Sequence, residues 1–135
     1  MNIQESVERI LQHKESLADL FYEVFLREYP EVRRHFDGVN FTHQSVLLTM
    51  ALMVIERHHR GPYPATESYL RYLGTKHHDR GIPPEAFPLF TAALMSTLER
   101  FHGAEWDEAL AGQWREAIDR ASETMLEGYR THFSV

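Results

Sequence analysis

Nine histidines stand in this chain of 135 residues, and there is no cysteine. Imidazole titrates near neutral pH and is a common ligand of transition metals. The lack of thiols removes disulfides, thiolate nucleophiles, iron–sulfur ligation and cysteine-based zinc sites together. No catalytic acid–base pair, phosphate loop or nucleophile triad stands out beside the histidines. His58 and His59 follow an apolar helix into a Gly-Pro loop, where cations complement a helix C-terminus, and His13, His102 and His132 also lie near expected helix ends. His77 differs: Leu70, Leu73 and Gly74 precede it at spacings of seven, four and three, so it continues an inward-facing stripe. Spacing alone leaves two readings open there, a core histidine with satisfied hydrogen bonds and a metal ligand.

Positioning such a residue needs a buried pocket, and length and composition allow one. Chains of about 100–150 residues commonly form one compact domain; here 43% of residues are hydrophobic and 25% charged, as in soluble globular proteins. The formal charge of −6 gives no diffuse attraction to phosphate backbones or anionic lipid, so neither nucleic acid nor membrane is an expected partner. Glu5, Glu8, Arg9 and His13 interrupt the first residues, unlike a secretory signal. With no cysteines, this suits a cytoplasmic protein. The longest near-continuous apolar run, Val46 to Ile55, is about half of what a membrane-spanning helix needs.

Glycine and proline divide the chain into helices, with no period-two alternation to mark hairpins. Ile3, Val7, Ile10 and Leu11 repeat at helical spacing; Ser16 to Asp19 cap or continue into a second helix carrying Leu20, Phe21, Val24 and Phe25, which stops near Pro30. A short helix through Val32 to Phe36 ends at Asp37-Gly38, and a long apolar helix follows over about Phe41 to Arg57. Gly61, Pro62 and Pro64 read as a connector. Thr66 to His78 form the next helix, broken by Gly81 and Pro83-Pro84. Glu85 to Phe101 places Leu89, Ala92, Ala93 and Leu98 on its core side. Glu105 to about Tyr129 does the same with Trp106, Leu110, Trp114, Ala117, Ile118, Ala121 and Met125. About seven helices of unequal length predict an all-α fold whose helices cross steeply around a central pocket.

The stretch Leu73-Gly74-Thr75-Lys76-His77, followed by Gly81-Ile82-Pro83-Pro84-Glu85-Ala86-Phe87-Pro88, resembles the proximal segment of bacterial single-domain globins and flavohaemoglobins. Ile3 to Ser6 and Leu20 to Phe25 resemble that family's first two helices, and Pro30-Glu31-Val32 to His35-Phe36 its next corner, so the likeness spans nearly the whole chain, read as a single domain over 1–135. The resemblance implies a globin fold binding haem b, with His77 as the iron ligand and His78 as the competing assignment. It implies that Phe36, Leu48, Leu73, Ile82 and Phe87 wall the porphyrin and that the Tyr22 hydroxyl points at bound ligand; without it, Tyr22 reads as a packed aromatic with its hydroxyl at the boundary. On the distal helix the resemblance favours Gln44 with Leu48 one turn on, while His43 with Leu47 is a one-residue slip away and would allow His43 to reach the sixth iron position. Phe87 stands where flavohaemoglobins carry a tyrosine linked to the proximal histidine, which argues against peroxidase-like electronic push.

The implied function is reversible binding of oxygen or another diatomic gas at a five-coordinate iron, as store, carrier or scavenger. Nitric oxide dioxygenation is the enzymatic alternative. It requires a separate reductase, because the chain has no room for flavin and nicotinamide domains. A gas-sensing domain of a larger protein is the third class.

Overall fold

The first helix, α1 (Ile3–Gln12), begins at a reciprocal cap: the Asn2 side chain accepts from the Glu5 N–H at 2.8 Å and the Glu5 carboxylate from the Asn2 N–H at 3.0 Å. Ile3, Val7 and Ile10 are buried, but Leu11 is 39% exposed, since it lies about 100° round the axis from Ile10. The structure, a computed structural model, describes residues 1–61 and 63–131, and the side chains of all of these but 14–16. Pro62 and His132, singled out above, lie outside the described residues, as does the Ser16 side chain.

Helix α2 (Lys14–Glu28) buries Leu17, Ala18, Phe21, Tyr22, Val24 and Phe25, and a 3₁₀ segment (Pro30–Phe36) follows with Pro30 in its first turn. Gly38 turns the chain at φ +74°, a conformation open to glycine. Helix α3 (Phe41–Arg60) starts where the Asn40 side chain accepts from the His43 N–H, and runs three residues beyond the expected Arg57. Helix α4 (Pro64–Asp79) opens on Pro64, which the sequence reading assigned to the connector; its fixed φ and missing N–H suit a helix start. Helix α5 (Ala86–His102) buries Thr91, Ala93, Leu94, Thr97 and Leu98, whereas Ala92, expected in the core, is exposed. Helix α6 (Glu108–Thr131) begins later than expected. Glu105 ends a 3₁₀ turn (Gly103–Glu105), Trp106 lies in the link, and the Asp107 carboxylate caps the helix by accepting from the Leu110 N–H at 2.8 Å.

Six α-helices and the 3₁₀ segment make seven helices, with one further short turn and no strand among the described residues. None of these helices alone is long and apolar enough to cross a membrane. The core centres on Trp114, Phe21, Ile10, Leu52, Leu70, Leu94 and Ile118. α2 packs on α5, α3 on α6, and the most extensive contact joins α4 to α6, while α3 and α4 meet only sparingly.

The α4–α6 contact is backbone on backbone. A Cβ at Gly74 would overlap the Met125 carbonyl, and one at Gly128 the Arg71 carbonyl. Thr75 Oγ1 donates to the Gly128 carbonyl at 2.9 Å, and Arg71 pairs with Glu127 at 3.1 Å. Because backbone cannot give as a side-chain tip can, Gly74→Ala or Gly128→Ala should destabilise the fold by about 1–3 kcal/mol or more. Urea unfolding checks this, with Gly112→Ala as control, because a Cβ there meets nothing within 4 Å.

Candidate functional site

The candidate residues fall into two groups of side chains, on helices that touch each other only sparingly. In the first, α2 presents Tyr22, which is 7% exposed. Its ring makes edge contacts with Phe36 at 5.7 Å and Phe41 at 5.4 Å, and Phe36 and Phe41 stack at 6.1 Å. The Tyr22 hydroxyl reaches the Gln44 carbonyl at 3.5 Å, the outer limit for an O–H···O bond, so this contact leaves it free to turn to a better acceptor. Burial pushes the Tyr22 pKa up to about 12, with Gln44 pulling weakly the other way, so the phenol stays a neutral donor at any physiological pH. Gln44 is half-buried and Leu48 5% exposed, whereas His43 is exposed and Leu47 is 42% exposed.

In the second group, α4 presents His77. Its Nδ1 lies 2.6 Å from the Leu73 carbonyl oxygen; a carbonyl only accepts, so Nδ1 carries the proton and Nε2 the lone pair. Burial holds the His77 pKa below its ordinary value, the Leu73 hydrogen bond opposing this and Arg80 adding to it. The ring meets Phe87 edge-on at 5.9 Å, and the Ile82 N–H bonds the His77 carbonyl at 3.1 Å, closing the end of α4. His78 turns elsewhere, its ring 4.8 Å from Tyr129 on α6.

Phe36, Leu73, Ile82 and Phe87 are only half-buried although apolar, and Phe36 and Leu73 pack against the edge of the core. The structure gathers Tyr22, Phe36 and Gln44 in one group and Leu73, His77, Ile82 and Phe87 in another; no hydrogen bond or ring contact joins the two groups among the described residues. The sequence reading missed Phe41, which completes the aromatic cage around Tyr22; an aromatic residue just after the Asn40 cap is the signal that would have found it. It missed Tyr129 too, 6.5 Å from Phe87, whose place beside the histidine helix depends on how α6 crosses α4.

Two histidines read as helix-end cations are buried instead. His102 is 6% exposed: Trp114 Nε1 donates to Ser6 Oγ at 2.9 Å, and Ser6 Oγ shares a hydrogen bond with His102 Nε2 at 2.6 Å. The His102 ring also lies parallel to Trp106. His58 is likewise 6% exposed, and neither ring nitrogen has a hydrogen-bond partner. Glu67, the nearest carboxylate, is 3.9 Å away. Burial is the largest cause holding both their pKa values down.

The globin family model matches residues 18–125, so this chain belongs to the globin family. It is 28% identical over 109 residues to a Gossypium hirsutum protein named as an anaerobic nitrite reductase, covering 80% of this chain and 69% of that one. A Brassica napus protein of the same name is 26% identical over 111 residues, covering 82% and 68%. A bacterial globin from Campylobacter jejuni superposes with a TM-score of 0.84 at 20% identity, covering 97% of this chain and 94% of that one, a likeness of fold. A Pseudomonas aeruginosa protein described as structurally highly homologous to a human haemoglobin superposes with a TM-score of 0.76 at 26% identity, covering 92% and 98%.

The depressed histidines set a pH dependence. Unfolded imidazoles take protons near 6.5 that folded His58, His77 and His102 refuse, so the unfolded chain binds more protons and stability falls as pH drops through 6.5. The urea midpoint of the haem-free chain should be lower at about pH 5.5 than at about pH 7.5. Equal midpoints would mean that these rings are not sealed from solvent.

Proposed function

We propose that this globin binds haem b through His77 Nε2 and takes oxygen or a related diatomic gas on the face lined by Tyr22, Gln44 and Leu48. The observation that carries the reading is the His77 ring itself. Its proton is committed to the Leu73 carbonyl at 2.6 Å and its pKa is depressed, so it is a neutral imidazole held by one nitrogen with the other available, the form in which histidine ligates iron. The half-exposed apolar walls and the charge-free distal group fit a porphyrin, which needs flat apolar contact more than hydrogen bonds. Haem, when bound, supplies an iron with one open position for a gas ligand.

The chain's own residues do the rest. Tyr22 offers a hydroxyl donor in an apolar setting, where a hydrogen bond to a partly charged ligand counts for more than in water. Gln44 can add its amide or orient that hydroxyl. Phe36, Leu48 and Phe87 exclude water and a second haem. The names of the two plant relatives favour a second reading, reduction of nitrite to nitric oxide, which consumes one electron and two protons. Tyr22 holds its proton too tightly to deliver it near neutral pH, so the distal side supports gas binding better. Either this chemistry or nitric oxide dioxygenation would need an electron donor.

A visible spectrum with a Soret band that shifts reversibly with oxygen is the direct test. His77→Ala should lose stoichiometric haem or hold it loosely, while His78→Ala keeps it; an unchanged ferrous spectrum in the His77 variant would sink the assignment.

Oxygen release from the loaded protein reads the distal residues. Tyr22→Phe should speed it roughly ten-fold or more, since a hydrogen bond to a charged partner is worth about 1.5–3 kcal/mol. Gln44→Leu should alter release and His43→Leu should leave it nearly unchanged. The reverse pattern would move the distal register by one residue.

A further inference from the structure

Helix α3 is apolar on two faces. Gln44, Leu48 and Ile55 lie on its inner side, while Val46 (46% exposed), Met50 (49%) and Met53 (38%) form a stripe on the opposite side at spacings of four and three. A surface helix ordinarily carries polar residues there, yet from Phe41 to Ile55 it has no Asp, Glu, Lys or Arg. The stripe continues into a groove of about 350 Å³ between α3 and α1, where Val7 and Leu11 line one wall and Met50, Met53 and Val54 the other. A contiguous apolar patch of this kind marks an interaction site on a folded protein.

The groove also carries one charge of each sign that the fold does not neutralise. Glu8 on the α1 wall has no ion pair among the described residues. Arg57 on the α3 wall has the Tyr63 ring at 4.9 Å and no carboxylate partner among the described residues, whereas its neighbours Glu56 and Arg60 are bound to each other at 2.9 Å. A lipid surface would favour a basic rim without a carboxylate, and a strongly charged partner a rim of one sign. An apolar centre flanked by one acid and one base is complementary to a second copy of itself, the requirement of a two-fold interface.

We propose that this chain forms a homodimer through the outer face of α3, the apolar stripes of two copies lying against each other and Glu8 of each copy meeting Arg57 of the partner subunit. The interface lies on the side of α3 away from Gln44 and Leu48 and does not depend on what the inner site binds.

Sedimentation velocity of the full chain between about 1 and 100 µM tests it, the range in which modest interfaces dissociate. Met50→Lys should raise the dimer dissociation constant about ten-fold or more. Because two-fold symmetry makes each substitution act twice, Glu8→Arg alone and Arg57→Glu alone should each weaken the dimer by a similar factor. The double variant, which exchanges the charges, should return to within about three-fold of the parent. All these positions are at the surface, and unchanged far-ultraviolet circular dichroism checks that the variants fold. A parent that stays monomeric throughout, a Met50→Lys dimer as tight as the parent, or a double variant no tighter than the single ones would overturn the proposal.

Discussion

The backbone of α4 can lie against the backbone of α6 because Gly74 and Gly128 present no Cβ where each meets the other helix's carbonyl. Much else depends on that approach. It seats Leu70 and Gly74 in the core, and thereby fixes the azimuth of a helix whose next inward residues are Leu73 and His77. The Thr75 bond to the Gly128 carbonyl and the Arg71–Glu127 pair hold the same contact from either side. Seated on α6, α4 touches α3 only sparingly. Globins typically bind haem, and this arrangement has the chemistry that the proposed function needs: an oriented neutral imidazole on one helix and a caged phenol on another.

Polar groups in the interior follow a second logic. The Trp114–Ser6–His102 chain ties α6 to α1 and to the end of α5, the indole N–H donating to a Ser6 hydroxyl that also bonds His102 Nε2. Buried polar groups linked in this way specify one packing of the core. His58 lies at the corner between α3 and α4 without a hydrogen bond, close to a carboxylate it does not reach. Its burial without a partner adds to the loss of stability expected in acid.

Helix α3 joins the inner site to the molecular surface. Its inner residues Gln44 and Leu48 lie on the side of Tyr22, which Phe36 and Phe41 cage so that the phenol stays buried and protonated. Its outer residues are as apolar as its inner ones, and a surface that free of charge on a chain of net charge −6 is where two copies can approach without repulsion. One helix thus offers a proposed ligand site and a proposed interface on opposite faces.

Proline and glycine punctuation, helical periodicity and the stripe leading to His77 are local features, so the all-helical fold and its break points were legible in the chain. Small errors came where local rules compete: Pro64 reads equally as loop or first turn, and Trp106 fits a helical stripe although Asp107 caps the helix beyond it. The azimuth of α3 was not legible. A helix that is apolar all round has no preferred inward face until its neighbours exclude the alternatives, so only the packed fold turned Gln44 and Leu48 inward and left His43 and Leu47 outside. The same holds for His58 and His102, whose positions near helix ends suggested solvent. Burial is a property of what crosses over a residue, here α4 with Glu67 in one case and α1 with Ser6 in the other, and no local pattern encodes which distant segment that is.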